Sequence, residues 1–277
     1  MIVDPTLTAA LRHWGARAVP FSDTPGEAPF VHPSWEKALR LLGQTAALRS
    51  LMILCGDHGV GKSALVAHWL ESLEPKVYLP LVITQATLSG NGLLAVLLNK
   101  LGQKPSLFRS RNLSRLEEVI KELGRLTPVL VLDEAQHYPA GALEEIRLLL
   151  GLNLPRQPIF ALILLGDLYL QETLRLQHHK ALYSRIAARS ALAALEPAHI
   201  EPYLVHGLRQ AGLERPCFHP AAIDLLASAS QGMPRLLNLL ARSAWIAAAH
   251  AQATTIGPEE VHLALQMVPA AADKIHP

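Results

Sequence analysis

The chain has 277 residues, half of them hydrophobic and only 5% aromatic. That length allows one large domain or two small ones, and a core of Leu, Ala, Val and Ile suits helices packed on a sheet better than an all-β sandwich. A net charge of +2 is too mild to indicate nucleic-acid binding by itself, and two cysteines, Cys55 and Cys217, exclude a disulfide framework and suit a reducing cytoplasm.

The N-terminus, Met1-Ile2-Val3-Asp4-Pro5, lacks a basic stretch followed by an apolar core, so no signal peptide is expected. Thr6 to Trp14 reads as a short helix. Val19-Pro20-Phe21 and the run Ser22-Asp23-Thr24-Pro25-Gly26 are turn material. Ser34 is placed to cap a helix through Leu42, with Glu36 and Lys37 in its first turn. Leu51 to Cys55 reads as a buried strand and Ala64 to Leu70 as a helix. Between them, Gly56-Asp57-His58-Gly59-Val60-Gly61-Lys62-Ser63 fits G-x-x-x-x-G-K-[ST] at every fixed position. Glycines let backbone N–H groups curl around phosphate oxygens, and the helix N-terminus opened by Lys62, Ser63 and Ala64 adds partial positive charge. Lys62 would reach the β- and γ-phosphates and Ser63 would ligate Mg²⁺.

Lys76 to Ile83 is a predicted strand and Gly92 to Leu101 a predicted helix. The uncharged run Val77 to Asn99 is long enough to span a bilayer, but Pro80, Ser89, Gly90, Asn91 and Gly92 break it, so no membrane segment is expected. A loop holding Lys104, Arg109 and Arg111 with Ser106, Ser110 and Asn112 leads to an amphipathic helix over Leu113 to Leu126. Pro128 to Leu132 is continuously apolar, the pattern of a strand buried on both faces of a parallel sheet, and it ends in Asp133 and Glu134. Ala142 to Leu150 reads as a helix, Ile159 to Leu165 as another buried strand, and Thr173 to Arg189 as a helix or two. From Pro197 onward only helical patterns appear: Ile200–Ala211, Pro220–Ser230, Pro234–Ala251 and Pro258–Met267, three of them opening on proline. The expected organisation is an N-terminal segment 1–33, an α/β core 34–196 with a parallel sheet, and a small all-α domain 197–277.

The carboxylates complete a phosphate-hydrolysing site. Asp133, 71 residues after Lys62, would hold Mg²⁺. Glu134 is placed to activate the water that attacks the γ-phosphate, as a general base. His137 and the pair His178-His179 show no metal-ligand spacing and are read as loop residues.

Leu-Asp-Glu-Ala-Gln (Leu132–Gln136), the strand ending Leu164-Leu165-Gly166, and Gly232-Met233-Pro234-Arg235 together resemble AAA+ ATPases. The nearest branch holds the ExeA-type secretion ATPases and the transposon-encoded ATPases related to phage Mu B. The resemblance runs from about Phe21 to Met267 and implies a P-loop three-layer core followed by a helical lid. It implies ATP with Mg²⁺ as cofactors; no guanine-reading motif is visible. It also makes Arg235 the sensor 2 arginine and Asp167 the sensor 1 position, where the family more often has a neutral polar group. Arg185 becomes an arginine finger for a neighbouring subunit, with Arg189 as runner-up, and Phe21 part of a segment lying against adenine. Loops in the region of Lys104, Arg109 and Arg111 line the inner face of a ring or filament in that family, which implies sequence-nonspecific contact with duplex DNA.

The function implied is an ATP-dependent regulator of transposition that oligomerises on DNA as a ring or helical filament and recruits a transposase. The short distance from the lid to the last residue agrees with this. The alternatives are a secretion-pathway ATPase, expected to carry a membrane segment and a peptidoglycan-binding part, and a replication-type loader acting on protein partners.

Overall fold

In chain order the described residues form helices α1 (Pro5–Trp14) and α2 (Pro33–Ala47), strand β1 (Leu51–Cys55), α3 (Lys62–Glu71), β2 (Tyr78–Ile83), α4 (Gly90–Lys100) and α5 (Arg109–Glu122). Strand β3 (Thr127–Leu132), α6 (Ala140–Leu149), β4 (Ala161–Gly166), α7 (Leu170–Arg175), α8 (Lys180–Tyr183) and β5 (Ile186–Ala191) follow. The chain continues as α9 (Pro197–Gln210), α10 (Pro220–Ser230), α11 (Pro234–His250) and α12 (Pro258–Met267). This computed structural model describes residues 4–22, 28–152 and 158–268. The turn expected over Asp23–Gly26, and the end of the 197–277 segment past Val268, lie outside the described residues.

Two units result. One is α/β, comprising Pro33–His58 and Lys62–Leu192; the other is helical, comprising Met1–His32, Gly59–Gly61 and Ala193–Pro277. The α/β unit is built on a five-stranded sheet of order β2-β3-β4-β1-β5, parallel at every pairing. Strands β1, β3 and β4 are buried along their whole length, the result expected of continuous apolar runs covered on both faces. Their register sets the site. Cys55 lies opposite Gly166, Leu132 opposite Leu164 and Ile83 opposite Leu132, so the turns after β1, β3 and β4 leave from one edge of the sheet. Pro80 sits on β2, an edge strand, where a missing N–H costs little.

Three elements differ from expectation. Helix α2 starts at Pro33, so Ser34 is helical rather than a cap. It runs to Ala47 because Leu42, Thr45 and Ala46 are buried, with the Thr45 hydroxyl donating to the Leu41 carbonyl at 2.8 Å. Helix α5 starts at Arg109, which puts Arg109 and Arg111 on its first turn rather than in a loop. The third is the edge strand β5, Ile186–Ala191, whose first four residues end the stretch Thr173 to Arg189 read as helical. Among the described residues it pairs only with β1, all of it but Ser190 is at least partly exposed, and its alanine-rich Ile-Ala-Ala-Arg-Ser-Ala lacks the apolar run of the central strands. Arg185 and Arg189 therefore do not sit one helical turn apart.

In the helical unit the core gathers α9 to α12 around Trp245, which is fully buried. The N-terminal segment belongs to this core. Trp14 of α1 stacks on Trp245 with ring centroids 6.3 Å apart, and its indole N–H donates to the Trp245 carbonyl at 3.1 Å. Gly232 is forced to be glycine: its φ is +70°, and a Cβ there would lie 2.1 Å from the Leu195 carbonyl oxygen. The Leu195 N–H in turn donates to the Gly232 carbonyl at 2.8 Å, fixing the entry to α11.

Candidate nucleotide site

The Lys62 side chain opens α3 and is 7% exposed. Its ammonium donates to the carbonyls of Gly56 at 2.7 Å and Asp57 at 3.1 Å, which curls the loop about its own lysine. Gly56 is tied to the sheet by donating its N–H to the Gly166 carbonyl at 3.2 Å. Gly59 and Gly61 take φ values of +83° and +101°, the left-handed region in which only glycine is unstrained. Of the remaining loop residues, Val60 is buried, and Asp57 and His58 are exposed.

Ser63 and Asp133 face one another: the Ser63 hydroxyl lies 3.4 Å from Asp133 Oδ2. A hydroxyl and a carboxylate oxygen at that spacing form a hard, oxygen-only donor pair, which fits Mg²⁺ and its preference for few protein ligands. Ala64 follows on the exposed side of α3. Asp133 also uses Oδ1 to accept the N–H of Glu134 at 2.9 Å, which pins the turn after β3. Glu134 has φ +50°, an uncommon conformation for a residue with a side chain and one that recurs where a side chain must be aimed. Buried Tyr138 packs below; burial first, then the charge of Asp133, push its hydroxyl up to about 12, so it stays protonated. Burial likewise pushes the Cys55 thiol, beneath the loop, up to about 11, which leaves it a core residue without thiolate chemistry.

Gln136 stands in the acidic motif, but the motif alone gives it no role. In the structure its amide donates to Glu134 Oε2 at 2.6 Å, and its Oε1 lies 3.4 Å from the Asp167 N–H. A Cβ on Gly166 would strike that same oxygen at 2.7 Å. Gln136 thus joins the ends of β3 and β4 and holds the Glu134 carboxylate. The signal for it was its position in the short turn two residues after Glu134. Asp167, by contrast, accepts the Leu170 N–H at 3.0 Å on Oδ1 and so caps the start of α7. Asp167 Oδ1 is thus turned to the start of α7, and Gln136 is a neutral polar side chain that reaches the end of β4.

The remaining expected residues fall in different places. Within the helical unit, the Arg235 N–H donates to the Gly59 carbonyl at 3.1 Å, and a Cβ on Gly59 would lie 2.8 Å from that of Arg235. The Phe21 ring is a core plug, 5% exposed, edge-on to Phe218 and pressed on Gly207, so it offers no free face for adenine. Arg185 passes Gly151, where a Cβ would stand 3.6 Å from its guanidinium. Arg189 stacks over Tyr183 at 4.4 Å, and the Tyr183 hydroxyl accepts from Arg175 at 3.0 Å. Arg109 is held by both oxygens of Glu145, at 2.7 and 3.0 Å, and that carboxylate is only 4% exposed. Moving Arg109 to a DNA phosphate would strand a buried charge, so the expected DNA contact at Arg109 is corrected to a structural ion pair. Lys104 and Arg111 are exposed. Among the described residues no group of three or more His, Cys, Asp and Glu side chains could hold a metal ion, and no helix is long and apolar enough to cross a membrane.

Comparison with known proteins bears on the fold. Residues 46–174 match the family described as the AAA domain. The chain is similar to the general secretion pathway protein A of Aeromonas hydrophila, 32% identical over 204 residues; the match takes in 71% of this chain and 37% of that protein. The chain therefore spans little more than a third of the length of this curated relative. Among solved structures, CDC6P from Pyrobaculum aerophilum superposes with a TM-score of 0.70 at 19% identity, covering 91% of this chain and 72% of that one. The ORC1 protein of Aeropyrum pernix in complex with DNA superposes with a TM-score of 0.66, also at 19% identity, covering 86% of this chain and 66% of that one. These two likenesses establish the fold.

Proposed function

We propose, from the premise that this chain is built on an AAA+ ATPase core of P-loop fold, that it binds ATP with Mg²⁺, hydrolyses it, and uses the nucleotide to assemble on duplex DNA. The observation that carries the catalytic half is the 3.4 Å approach of the Ser63 hydroxyl to Asp133 with Glu134 next in the chain. Lys62 and the loop N–H groups from Gly56 to Ser63 hold the phosphates. Ser63 and Asp133 would hold Mg²⁺, which neutralises charge on the β- and γ-oxygens when bound. Glu134 takes the proton of the attacking water. Gln136 fixes the carboxylate that does so. Arg235 acts as sensor 2. Arg185 is assigned as the finger completing a neighbouring copy's site, and Arg189, stacked on Tyr183, is the weaker candidate.

The DNA half rests on charge. From Lys100 to Leu116 the sequence holds no acidic residue, and Lys104 and Arg111 are exposed there. A stretch of one sign suits a polyanion contacted through its phosphates rather than its bases. A solved neighbour of the same fold is itself described in complex with DNA. Assembly as a ring or filament in the cytoplasm and recruitment of a transposase are the finer parts of this reading, and the transposase rests on the sequence resemblance alone. A second reading, an ATPase working on protein partners of a secretion pathway, is favoured by the 32% identity to the secretion pathway protein.

The test is duplex-DNA binding with ATP, with a non-hydrolysable analogue and without nucleotide, imaged by negative-stain electron microscopy. Nucleotide-dependent rings or filaments on DNA are expected. Absence of DNA binding in every nucleotide state would overturn the DNA half and favour the secretion reading.

A further inference from the structure

The segment between α4 and α5 presents two large apolar side chains to solvent. Leu107 is 92% exposed and Phe108 61% exposed, the former more than any other exposed large hydrophobic residue described. Apolar groups left in water at a loop tip are ordinarily either mobile or in use. This tip is held in place by a built frame. Asn112, 1% exposed, accepts the Ser106 N–H at 2.7 Å and donates to the Ser106 carbonyl and to Asn91 Oδ1, each at 2.9 Å. Asn91 donates to the Leu107 carbonyl at 3.2 Å, and the Ser106 hydroxyl accepts the Phe108 N–H at 3.2 Å. The next residue, Arg109, is clamped to Glu145 of α6. A buried asparagine with its amide fully engaged fixes backbone position, so the frame holds Leu107 and Phe108 outward.

The exposed charges that flank the tip along the chain, Lys104 and Arg111, are both basic. Arg111 lies over the Phe108 ring, its guanidinium carbon 5.0 Å from the centroid, and Lys104 is exposed three residues before Leu107. An apolar tip flanked by exposed cations is complementary to a polyphosphate. A leucine and a phenylalanine at such a position are among the side chains that proteins insert between base steps, partly unstacking them.

We infer that the Leu107–Phe108 tip is a wedge that enters a groove of duplex DNA and unstacks a base step, with Lys104 and Arg111 on the flanking phosphates and Arg109 acting as the strut that braces it. This rests on the DNA-binding reading above. It adds to that reading a distortion of the duplex, which phosphate contacts alone do not produce.

The probe is a duplex carrying 2-aminopurine, whose fluorescence rises when its neighbours unstack, mixed with the full chain and a non-hydrolysable ATP analogue. The wild-type protein is expected to raise the signal several-fold on binding. The pair Leu107→Ser with Phe108→Ser, both at exposed positions, is expected to bind the same duplex within about threefold of wild type while losing the rise. Phe108→Trp is expected to keep the rise, with the new indole quenched by the bases it stacks on. Binding without any rise, or a rise that survives the double serine change, would overturn the wedge and leave the DNA reading standing. No binding by the wild type in any nucleotide state would overturn both. Loss of self-assembly in the double variant with DNA distortion unchanged would reassign the tip to a contact between copies.

Discussion

The α/β unit and the helical unit use the same device, a glycine or a strained backbone at the end of a regular element, for different ends. In the α/β unit the strands β1, β3 and β4 are buried, and the candidate site side chains follow them: Lys62 at the start of α3, Asp133 and Glu134 directly after β3, Gln136 bridging toward β4. In the helical unit Gly232 is such a position, and what it delivers is the start of α11 with Arg235 on its first turn. A sheet edge can hold several groups in register within a few ångströms. A helix start holds one arginine, and the packing of α1, α10 and α12 on α11 holds the helix. Changes at these loop side chains of the α/β unit should therefore act on chemistry with the fold intact, whereas a change at Gly232 of the helical unit should act first on stability.

Lys62→Ala, in the α/β unit, should have the gravest consequence. It removes the cation that the loop is curled around, and ATP hydrolysis should fall by at least about 10²-fold with nucleotide binding lost, measured by phosphate release and by fluorescent-nucleotide titration. Unaltered melting of the nucleotide-free protein would bear out the division between the units; unfolding would abolish it. Gly232→Ala in the helical unit comes next. The left-handed φ alone costs about 1–2 kcal/mol and the clash with Leu195 adds to it, so the melting temperature should drop by several degrees. A silent substitution would show that this helix start has room to shift.

Arg109→Ala asks whether this arginine is a strut of the fold rather than a DNA contact. Because the change strands the buried Glu145 carboxylate, it should cost about 3 kcal/mol, the low end for a buried pair since Arg109 is half exposed. Glu145→Ala should cost less, as its abandoned partner can reach water. Thermal denaturation of both variants reads the asymmetry, and equal small effects would make Arg109 a free surface cation again.

The mildest effect is on pH, and each unit contributes one group. Burial, with a neighbouring histidine second, depresses His32 of the helical unit and His179 of the α/β unit below the ordinary imidazole range. The folded state therefore favours the neutral ring. The stability that these groups contribute is present above about pH 6.5 and is lost as the pH falls through their folded values. Melting curves from pH 7.5 to 5.5 should show a decline that His179→Phe and His32→Phe each lessen. Opposite pH trends in the variants would contradict the assigned direction.

The sheet's central strands, the phosphate loop and the paired acids were all readable from the sequence, because few structures besides a buried parallel strand and a phosphate loop demand a continuous apolar run and that fixed glycine spacing. The helix boundaries at Pro220–Ser230 and Pro258–Met267 were readable through a proline start with a clear apolar period. Strand β5 was not, because an alanine-rich edge strand is stabilised by one neighbour and carries no local signature of it. Nor were the partners of charged side chains. Whether Arg109 is free or bound to Glu145, or Asp167 faces a phosphate or caps α7, depends on contacts that the spacing of charges along the chain does not encode. The burial of Phe21 in the helical core falls in the same class.

Glu134→Gln decides whether the carboxylate after β3 is the general base, when bound and hydrolysed ATP are assayed on the same sample by filter retention of labelled nucleotide. Hydrolysis should fall by about 10²–10⁴-fold while ATP and Mg²⁺ remain bound, because the amide keeps the place of the carboxylate beside Gln136 but takes up no proton. Hydrolysis at the wild-type rate, or loss of ATP binding with the fold intact, would contradict that role.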